Sequence, residues 1–160
     1  MEIQTDRLIL REFVTDDWNA VFEYQSDPRY LKYYPWIERS EADVRAFLQM
    51  FVEQQHEAPR TKFQLAIVIR ASDALIGNCG IRRDAADSVD ADIGYELAPA
   101  YWGYGYAIEA ARAMVEYGFG ELGLHRIWAC CIAENEASSR VLERIGMRRE
   151  VCLRETERFK

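Results

Sequence analysis

Three strand-like segments follow one another in the middle of the chain with no helix between them, and this order limits the fold more than any other feature. They are Phe63–Arg70, Ala74–Arg82 and Ala91–Leu97, joined by a turn at Ser72-Asp73 and by a polar loop. Connections this short join antiparallel neighbours, whereas parallel strands need a longer crossover. The segments therefore predict a run of antiparallel strands at the centre of a sheet.

The flanking segments predict helices and further strands on both sides of this run. Predicted strands are Arg7–Phe13, His125–Ile132 and Met147–Arg158, and predicted helices run over Thr15–Tyr24, Ser40–Gln55, Tyr104–Tyr117 and Asn135–Gly146. Ser40 and Asp43 have the spacing of a capping box. Tyr30–Trp36 is predicted to be an aromatic loop, and Gly118 is expected to end the third helix. Antiparallel strands followed by a strand–helix–strand unit indicate a mixed α+β fold.

Composition is that of one globular domain. The 160 residues are 49% hydrophobic and 29% charged, which is enough chain for a single domain over residues 1–160 with its own core. No apolar run approaches the roughly 18–20 residues of a membrane-spanning helix, and the polar N-terminus does not resemble a secretory signal. A net charge of −7 argues against a nucleic-acid binder. We expect a cytoplasmic protein without nucleic-acid or membrane partners.

The cysteines and histidines do not have the spacing of a metal site. The four cysteines include no C-x-x-C pair, and the two histidines lie far from ligand spacing. Cys130 and Cys131 are adjacent in a predicted strand, so their side chains should point to opposite faces. We expect buried free thiols, no nucleophilic cysteine and no bound metal.

Two glycines stand between a predicted strand and a predicted helix, in the sequence "YWGYGYA" of Tyr101–Ala107. The first N–H groups of a helix lack internal partners and attract anions, and glycine lets the backbone approach a phosphate closely. Ile108 stands where a dinucleotide-binding fingerprint has its third glycine, and no Gly-Lys-Ser/Thr follows. Gly103 and Gly105 therefore form either a phosphate-binding turn or a tight turn without a ligand.

Three segments together resemble the GNAT superfamily of acyl-CoA-dependent N-acyltransferases, and most closely its RimJ/RimL-type branch. They are "TDRLILREFVTDD" at Thr5–Asp17, "IGYELAPAYWGYGYAIEAA" at Ile93–Ala111 and "NEASSRVLERIGM" at Asn135–Met147. They look like the family's opening strand and helix cap, its fourth strand and pyrophosphate loop, and the segment after its fifth strand. The resemblance implies a GNAT fold, with a mostly antiparallel twisted sheet, flanking helices and a splayed central pair of strands.

The resemblance also implies acetyl-CoA as co-substrate. The family's loop pattern Q/R-x-x-G-x-G/A matches at both glycines but has Ala100 at its first position, so the backbone is expected to carry the contact. The N–H groups expected to hold the pyrophosphate belong to Trp102, Gly103, Tyr104, Gly105, Tyr106 and Ala107. The pantetheine arm would pair with the fourth predicted strand, where an N–H near Leu97 or Ala98 would face the thioester carbonyl.

Catalytic candidates follow from the same resemblance. The attacking amine must lose its proton, and Glu96 on the fourth predicted strand and Glu157 on the last are both candidate bases, with a slight preference for Glu157. RimL-like enzymes have a serine three residues after the asparagine of the third segment. This implies that Ser138 donates to the coenzyme sulfur and that Asn135 clamps the pantetheine. The alternative is that Glu96 and Glu157 are surface carboxylates without a catalytic role, and that Asn135 and Ser138 only cap a helix.

The acceptor site is predicted near the aromatic loop. Tyr33, Tyr34 and Trp36 are candidate substrate-binding residues, which either enclose an amine by cation–π contact or only pack. The implied reaction is acetyl transfer to a primary amine by direct attack in a ternary complex, with a protein or peptide N-terminus favoured over a small amine. The alternatives are an acyl-CoA-binding module without catalysis, or an interaction domain that binds no coenzyme.

The predicted last strand raises a separate expectation about partners. The chain stops before the seventh strand that is usual in the branch it resembles, so Met147–Arg158 would form an open sheet edge. Exposed edges promote association, and a homodimer is one way to cover this one.

Overall fold

The computed structural model describes residues 1–152 of the chain, and these form one sheet of six strands with five α-helices. The strands are β1 (Glu2–Gln4), β2 (Leu8–Arg11), β3 (Lys62–Ile69), β4 (Ala74–Arg82), β5 (Asp90–Leu97) and β6 (Arg126–Trp128). The helices are α1 (Trp18–Gln25), α2 (Pro28–Leu31), α3 (Glu41–Gln54), α4 (Tyr106–Gly120) and α5 (Glu136–Arg144). Within this part of the chain, no helix is both long enough and apolar enough to cross a membrane.

The strands lie in chain order, and all neighbouring pairs are antiparallel except β5 and β6. Helix α4 connects the parallel pair, as such a pair requires. Strand β6 covers only Asp90–Asp92 of β5, so from Ile93 to Leu97 β5 has a described partner strand on the β4 side alone. The predicted mixed α+β sheet with a splayed strand pair is confirmed.

Hydrophobic clusters cover the two faces of the sheet. Helix α4 packs on one face, where Ala110, Ala111 and Met114 are fully buried against the strands. Helices α1 and α3 cover the other face through residues such as Val21 and Leu48. Because side chains alternate along a strand, neighbouring residues of β5 point toward different helices. This alternation places the two halves of the candidate site on opposite faces.

The N-terminal half differs from the prediction in two respects. Strand β1 was not predicted, although it pairs with β2 along its whole length. The predicted loop Tyr30–Trp36 begins inside α2, because the side chain of Asp27 caps that helix and Pro28 occupies its first position. The predicted capping box of Ser40 and Asp43 is confirmed at the start of α3.

The C-terminal half also differs from the prediction. Helix α4 continues through Gly118, where a Cβ would lie 2.8 Å from side-chain atoms of the sheet, so this glycine serves close packing and does not end the helix. The predicted strand His125–Ile132 is reduced to the three residues of β6, and Cys130 and Cys131 lie beyond it as exposed thiols. Residues 147–152 form no strand, and the rest of the predicted last strand lies outside the described residues.

Candidate active site

The glycine turn lies between β5 and α4 and spans Tyr101–Ala107. Gly103 and Gly105 have φ values of 85° and 82°, in the left-handed region that residues with a side chain rarely adopt. A Cβ on Gly103 would meet no atom within 4 Å. Glycine is therefore required there by the backbone conformation and not by a lack of space. Both glycines are therefore explained by the path of the chain into α4.

The start of α4 has backbone donors without acceptors inside the helix. The N–H of Glu109 bonds to the carbonyl of Gly105 at 3.1 Å, so the N–H groups that precede it in the first turn have no intrahelical partner. The N–H of Trp102, predicted as a pyrophosphate donor, instead bonds to the carbonyl of Pro99 at 3.3 Å. The turn and the positive end of the helix dipole together fit an anion such as a pyrophosphate.

The N-terminal segment holds the glycine turn in place through Glu109. One carboxylate oxygen accepts from the Thr5 hydroxyl at 2.6 Å and from the Arg7 backbone N–H at 2.9 Å, and the other accepts from Arg7 Nε at 2.7 Å. Arg7 Nη1 also donates to the carbonyl of Tyr104, inside the turn, at 3.0 Å. We call Thr5, Arg7 and Glu109 the clamp. Sequence reasoning missed it, because its members are more than 100 positions apart.

The open edge of β5 leads to the glycine turn. Ala98 donates its N–H to Ile76 of β4 at 2.7 Å, so the prediction that this donor faces a thioester is not supported by its geometry. Hydrogen bonding alternates from residue to residue along an antiparallel strand, so Leu97 directs its N–H and C=O away from β4. Its carbonyl accepts from the indole Nε1 of Trp102 at 2.9 Å. The N–H of Leu97 is thus the donor on the open side.

Glu96 lies on the face of β5 covered by α1 and α3, where five side chains donate to its carboxylate. Oε1 accepts from Tyr24 at 2.7 Å, Gln25 at 3.0 Å and Asn78 at 2.6 Å. Oε2 accepts from Tyr30 at 2.6 Å and Tyr34 at 3.4 Å. Burial, together with the charge of Glu96, raises the pKa of all three tyrosines above the ordinary value, so their hydroxyls stay protonated and donate.

A chain of hydrogen bonds across the sheet fixes Asn78, one of these donors. Its Oδ1 accepts from Nε2 of Gln64 at 2.6 Å, and Oε1 of Gln64 accepts from Arg82 at 3.2 Å. Arg82 is itself paired with Asp92 on β5. Gln64 and Asn78 are each only 4% exposed, so their polar groups depend on these partners. The position of Glu96 is therefore set by three strands.

Two of the predicted acceptor aromatics, Tyr34 and Trp36, form a stack with Tyr30 beside Glu96. Ring centroids of Tyr30 and Tyr34 are 4.3 Å apart, and those of Tyr34 and Trp36 are 5.0 Å apart, with nearly parallel planes. The guanidinium of Arg39 lies 4.2 Å from the centroid of Trp36. Lys32 lies over Tyr33 at 5.0 Å. Tyr34 reaches the carboxylate of Glu96, whereas the cations over Trp36 and Tyr33 belong to the protein itself.

Tyr95 and Ser138 meet on the face of β5 opposite to Glu96. The Tyr95 hydroxyl donates to the carbonyl of Ser138 at 2.9 Å and lies 3.0 Å from its Oγ. Burial raises the pKa of Tyr95 to about 12. Asn135 caps α5 by accepting from the N–H of Ser138 at 3.1 Å. The capping role is therefore real for Asn135, while the hydroxyl of Ser138 is held by Tyr95.

Glu157, the other predicted base, lies outside the described residues. Within residues 1–152, no three His, Cys, Asp or Glu side chains come together as a possible metal-ligand set.

Comparison with known proteins places this architecture among the acetyltransferases. Residues 7–148 match the family model of the acetyltransferase (GNAT) domain. The uncharacterized N-acetyltransferase YnaD of Bacillus subtilis (strain 168) is 41% identical over 150 residues, which cover 94% of this chain and 84% of that protein. The uncharacterized N-acetyltransferase p20 of Bacillus licheniformis is 34% identical over 161 residues, covering 99% and 88%. The chain therefore belongs to the GNAT acetyltransferase family.

Solved structures agree with this assignment. A GNAT-family acetyltransferase from Bacillus anthracis superposes with a TM-score of 0.83 at 36% identity, covering 98% of this chain and 91% of that one. RimL, a ribosomal L7/L12 α-N-protein acetyltransferase in complex with coenzyme A, superposes with a TM-score of 0.85 at 18% identity, covering 99% and 90%. The likeness to RimL is one of fold. The predicted membership of the GNAT superfamily is confirmed.

Proposed function

We propose that this acetyltransferase moves the acetyl group of acetyl-CoA to a primary amine, at a peptide N-terminus or on a small molecule, by direct attack in a ternary complex. Strand β5 carries the proposal. At the point where β6 ends, it presents Glu96 on one face, Tyr95 on the other and the N–H of Leu97 at the open edge. Amine attack needs a proton acceptor and thiol departure is helped by a hydrogen-bond donor, and β5 places Glu96 on one side of the proposed thioester position and Tyr95, which holds Ser138, on the other.

The glycine turn is the proposed site for the pyrophosphate of acetyl-CoA. Two glycines with positive φ and the free N–H groups at the start of α4 favour an anion there. The N–H of Leu97 is proposed to face the thioester carbonyl, where a fixed donor would stabilise negative charge on the oxygen. The bound coenzyme in the RimL structure, and the acetyl-CoA in that of the microcin C7 self-immunity acetyltransferase MccE, support this assignment by analogy of fold.

Glu96 is the proposed acceptor of the amine proton, with Glu157 as the alternative. Four of the bonds to Glu96 are 3.0 Å or shorter, whereas the bond from Tyr34 is 3.4 Å. A carboxylate has about four lone-pair positions, so five donors occupy all of its acceptor positions. The weak bond from Tyr34 is the one that an incoming amine can replace at least cost.

Ser138 is the proposed hydrogen-bond donor to the departing thiolate, and Tyr95 is the residue that positions it. The coenzyme thiol has an ordinary pKa near 8.5, below the value of about 12 for Tyr95, so the tyrosine stays protonated while the thiolate forms. The protonated Tyr95 hydroxyl, 3.0 Å from Ser138 Oγ, then holds the serine in place, and the serine hydroxyl can donate a hydrogen bond to the thiolate, which leaves as the anion and takes its proton from water. Asn135 contributes by holding Ser138 at the start of α5.

The test is to incubate the protein with acetyl-CoA and each of a panel of primary amines. Turnover is measured as the release of free coenzyme thiol. The wild-type protein should acetylate at least one amine, and the base variant among E96Q and E157Q should lose about 10²- to 10⁴-fold in kcat. Acetyl-CoA Kd should not change in E96Q, because the carboxylate and the glycine turn lie apart. Acetyl-CoA binding without turnover on any amine would refute the proposal and favour a coenzyme-binding module.

A further inference from the structure

We propose that the amine acceptor carries a carboxylate close to its amino group and that Arg39 binds this carboxylate. The inference rests on the proposed function and specifies the substrate class of the same site. It starts from the side chains on the face of the sheet covered by α1 and α3, where Glu96 is an acid and Arg39 is a base, and neither has an oppositely charged partner among residues 1–152.

Arg39 has no acidic partner among the residues that the structure describes. Its guanidinium lies over Trp36 and 5.5 Å from the ring centroid of Phe47, and its Nε donates to Oε1 of Gln25 at 3.1 Å. No described carboxylate oxygen comes within 4.0 Å of it. Arginines that do form such ion pairs in the described chain are Arg7, Arg11, Arg29, Arg45, Arg60, Arg82, Arg126, Arg140 and Arg149.

The two acids in the first turn of the following helix are already used, Glu41 by Arg45 at 2.7 Å and Asp43 by the helix cap. Oδ2 of Asp43 accepts from the backbone N–H and the hydroxyl of Ser40, at 3.0 and 2.6 Å, as part of the capping box of α3. The charge of Arg39 contributes to lowering the pKa of Asp43, but less than the two bonds from Ser40 do. As far as residues 1–152 are concerned, the terminal Nη groups of Arg39 are therefore left for a ligand.

Gln25 fixes the distance between the two opposite charges. It is fully buried, accepts from Arg39 Nε at 3.1 Å and donates to Glu96 Oε1 at 3.0 Å. With roughly 2.2 Å between the oxygen and nitrogen of one amide, Arg39 Nε and Glu96 Oε1 are at most about 8 Å apart. An α-amino acid can reach across a separation up to this limit, because its nitrogen and carboxylate oxygen are about 3 Å apart and each adds one hydrogen bond of about 2.8 Å.

Opposite charges at this spacing favour one kind of acceptor. The amine of a substrate would approach Glu96, and a carboxylate attached near that amine would approach the planar donor face of Arg39. A polyamine would place a second cation against Arg39 and be disfavoured. The shared chemistry fits a free α-amino acid and also a peptide whose first residue is acidic.

The experiment compares acetylation of free L-amino acids with that of their carboxamides, in the wild-type protein and in R39Q. The wild type should prefer each acid, and R39Q should lower kcat/KM for the acids by about 10- to 100-fold while leaving the amides within about twofold. Acid and amide differ in amine pKa, but each substrate is its own control across the two proteins, so this difference cancels. R29Q, which removes an exposed arginine paired with Asp27, is the matched control and should change neither.

A second comparison distinguishes a free α-amino acid from a peptide with an acidic first residue as the acceptor. Peptides beginning with Glu or Asp are tested against peptides beginning with Gln or Asn, and R39K is included because it keeps the charge without the planar fork. A preference for acidic peptides over free amino acids would identify a peptide as the acceptor. Equal losses for acids and amides in R39Q, or no preference in the wild type, would overturn the inference while leaving acetyl transfer itself established. No turnover with any amine would instead refute the proposed function.

Discussion

Replacing Glu109 with alanine should destabilise the protein and weaken acetyl-CoA binding at the same time. The carboxylate ties the N-terminal segment to the start of α4, next to the glycine turn. Without it, the backbone N–H of Arg7 loses its acceptor, and the hydroxyl of Thr5 keeps only the longer bond to the carbonyl of Leu8 at 3.3 Å. Arg7 would also be freer to leave the carbonyl of Tyr104, which it holds inside the turn.

The contacts set the size of the effect. A hydrogen bond to a charged acceptor contributes about 1.5–3 kcal/mol, so the bonds from Thr5 and from the Arg7 backbone are the main terms. The Arg7 side chain is 47% exposed, so its ion pair with Glu109 adds no more than about 1 kcal/mol. Allowing for water that reaches the freed groups, we expect a loss of about 3 kcal/mol in E109A. For a chain of this length, that lowers Tm by about 6–12 °C.

The measurement is thermal unfolding of wild type and E109A, each with and without acetyl-CoA. A ligand at 100 times its Kd stabilises the native state by about 2.7 kcal/mol, and the shift in Tm should be smaller for E109A at the same concentration. E116A is the control, because Glu116 is an exposed carboxylate on the same helix. A Tm change in E109A no larger than in E116A would refute the reasoning, as would an unchanged acetyl-CoA Kd.

The pH dependence of this variant has a defined direction. Partial burial acts to raise the pKa of Glu109, but the hydrogen bonds from Thr5 and Arg7 outweigh it and the pKa is lowered from its ordinary 4.5. A carboxylate with a lowered folded pKa stabilises the protein above the ordinary value and loses that contribution as pH falls through the folded value. The stability difference between wild type and E109A should therefore be complete at pH 7 and shrink below pH 4.5.

Two further predictions concern the two ends of the proposed coenzyme site, the glycine turn and the start of α5. G105A should lose about 1–2 kcal/mol, since alanine is strained at a φ of 82°, and should raise acetyl-CoA Kd in calorimetry, whereas unchanged binding by a folded variant would show that the turn does not hold the coenzyme. S138A keeps the backbone N–H that Asn135 caps, so Tm should change little while kcat falls at least about tenfold. An S138A protein with wild-type kcat would return Ser138 to a structural role.

Local patterns predicted the central strands and the glycine turn well. The strand Ala74–Arg82 was predicted with its observed bounds. Gly103 and Gly105 could be recognised because positions with a positive φ strongly favour glycine. The capping box at Ser40 is equally local. The helix at Pro28 had a signal as well, since Asp-Pro is a cap followed by a favoured first residue, but we interpreted the pair only as a break.

The surroundings of Glu96 could not be predicted in this way. Its donors come from α1, α2, β4 and the segment after α2, at sequence separations of 18 to 72 positions. Sequence periodicity does not reveal these long-range contacts with Glu96, because each donor residue also fits the pattern of its own helix or strand. The short β6 has a similar cause: the apolar run His125–Ile132 favours a strand, but its pairing with β5 ends at Asp92, and the later residues pair with no other strand of the described chain.

The clamp has a consequence for the order in which the protein can assemble. Residues of β3, β4 and β5 are close in sequence and pair through short loops, so this unit can form early and at little cost in loop entropy. Thr5 and Arg7 leave the ribosome first, yet their partner Glu109 is synthesised more than 100 residues later. The glycine turn therefore receives its clamp only after residue 109 has been synthesised, when strands β1 to β5 are already present.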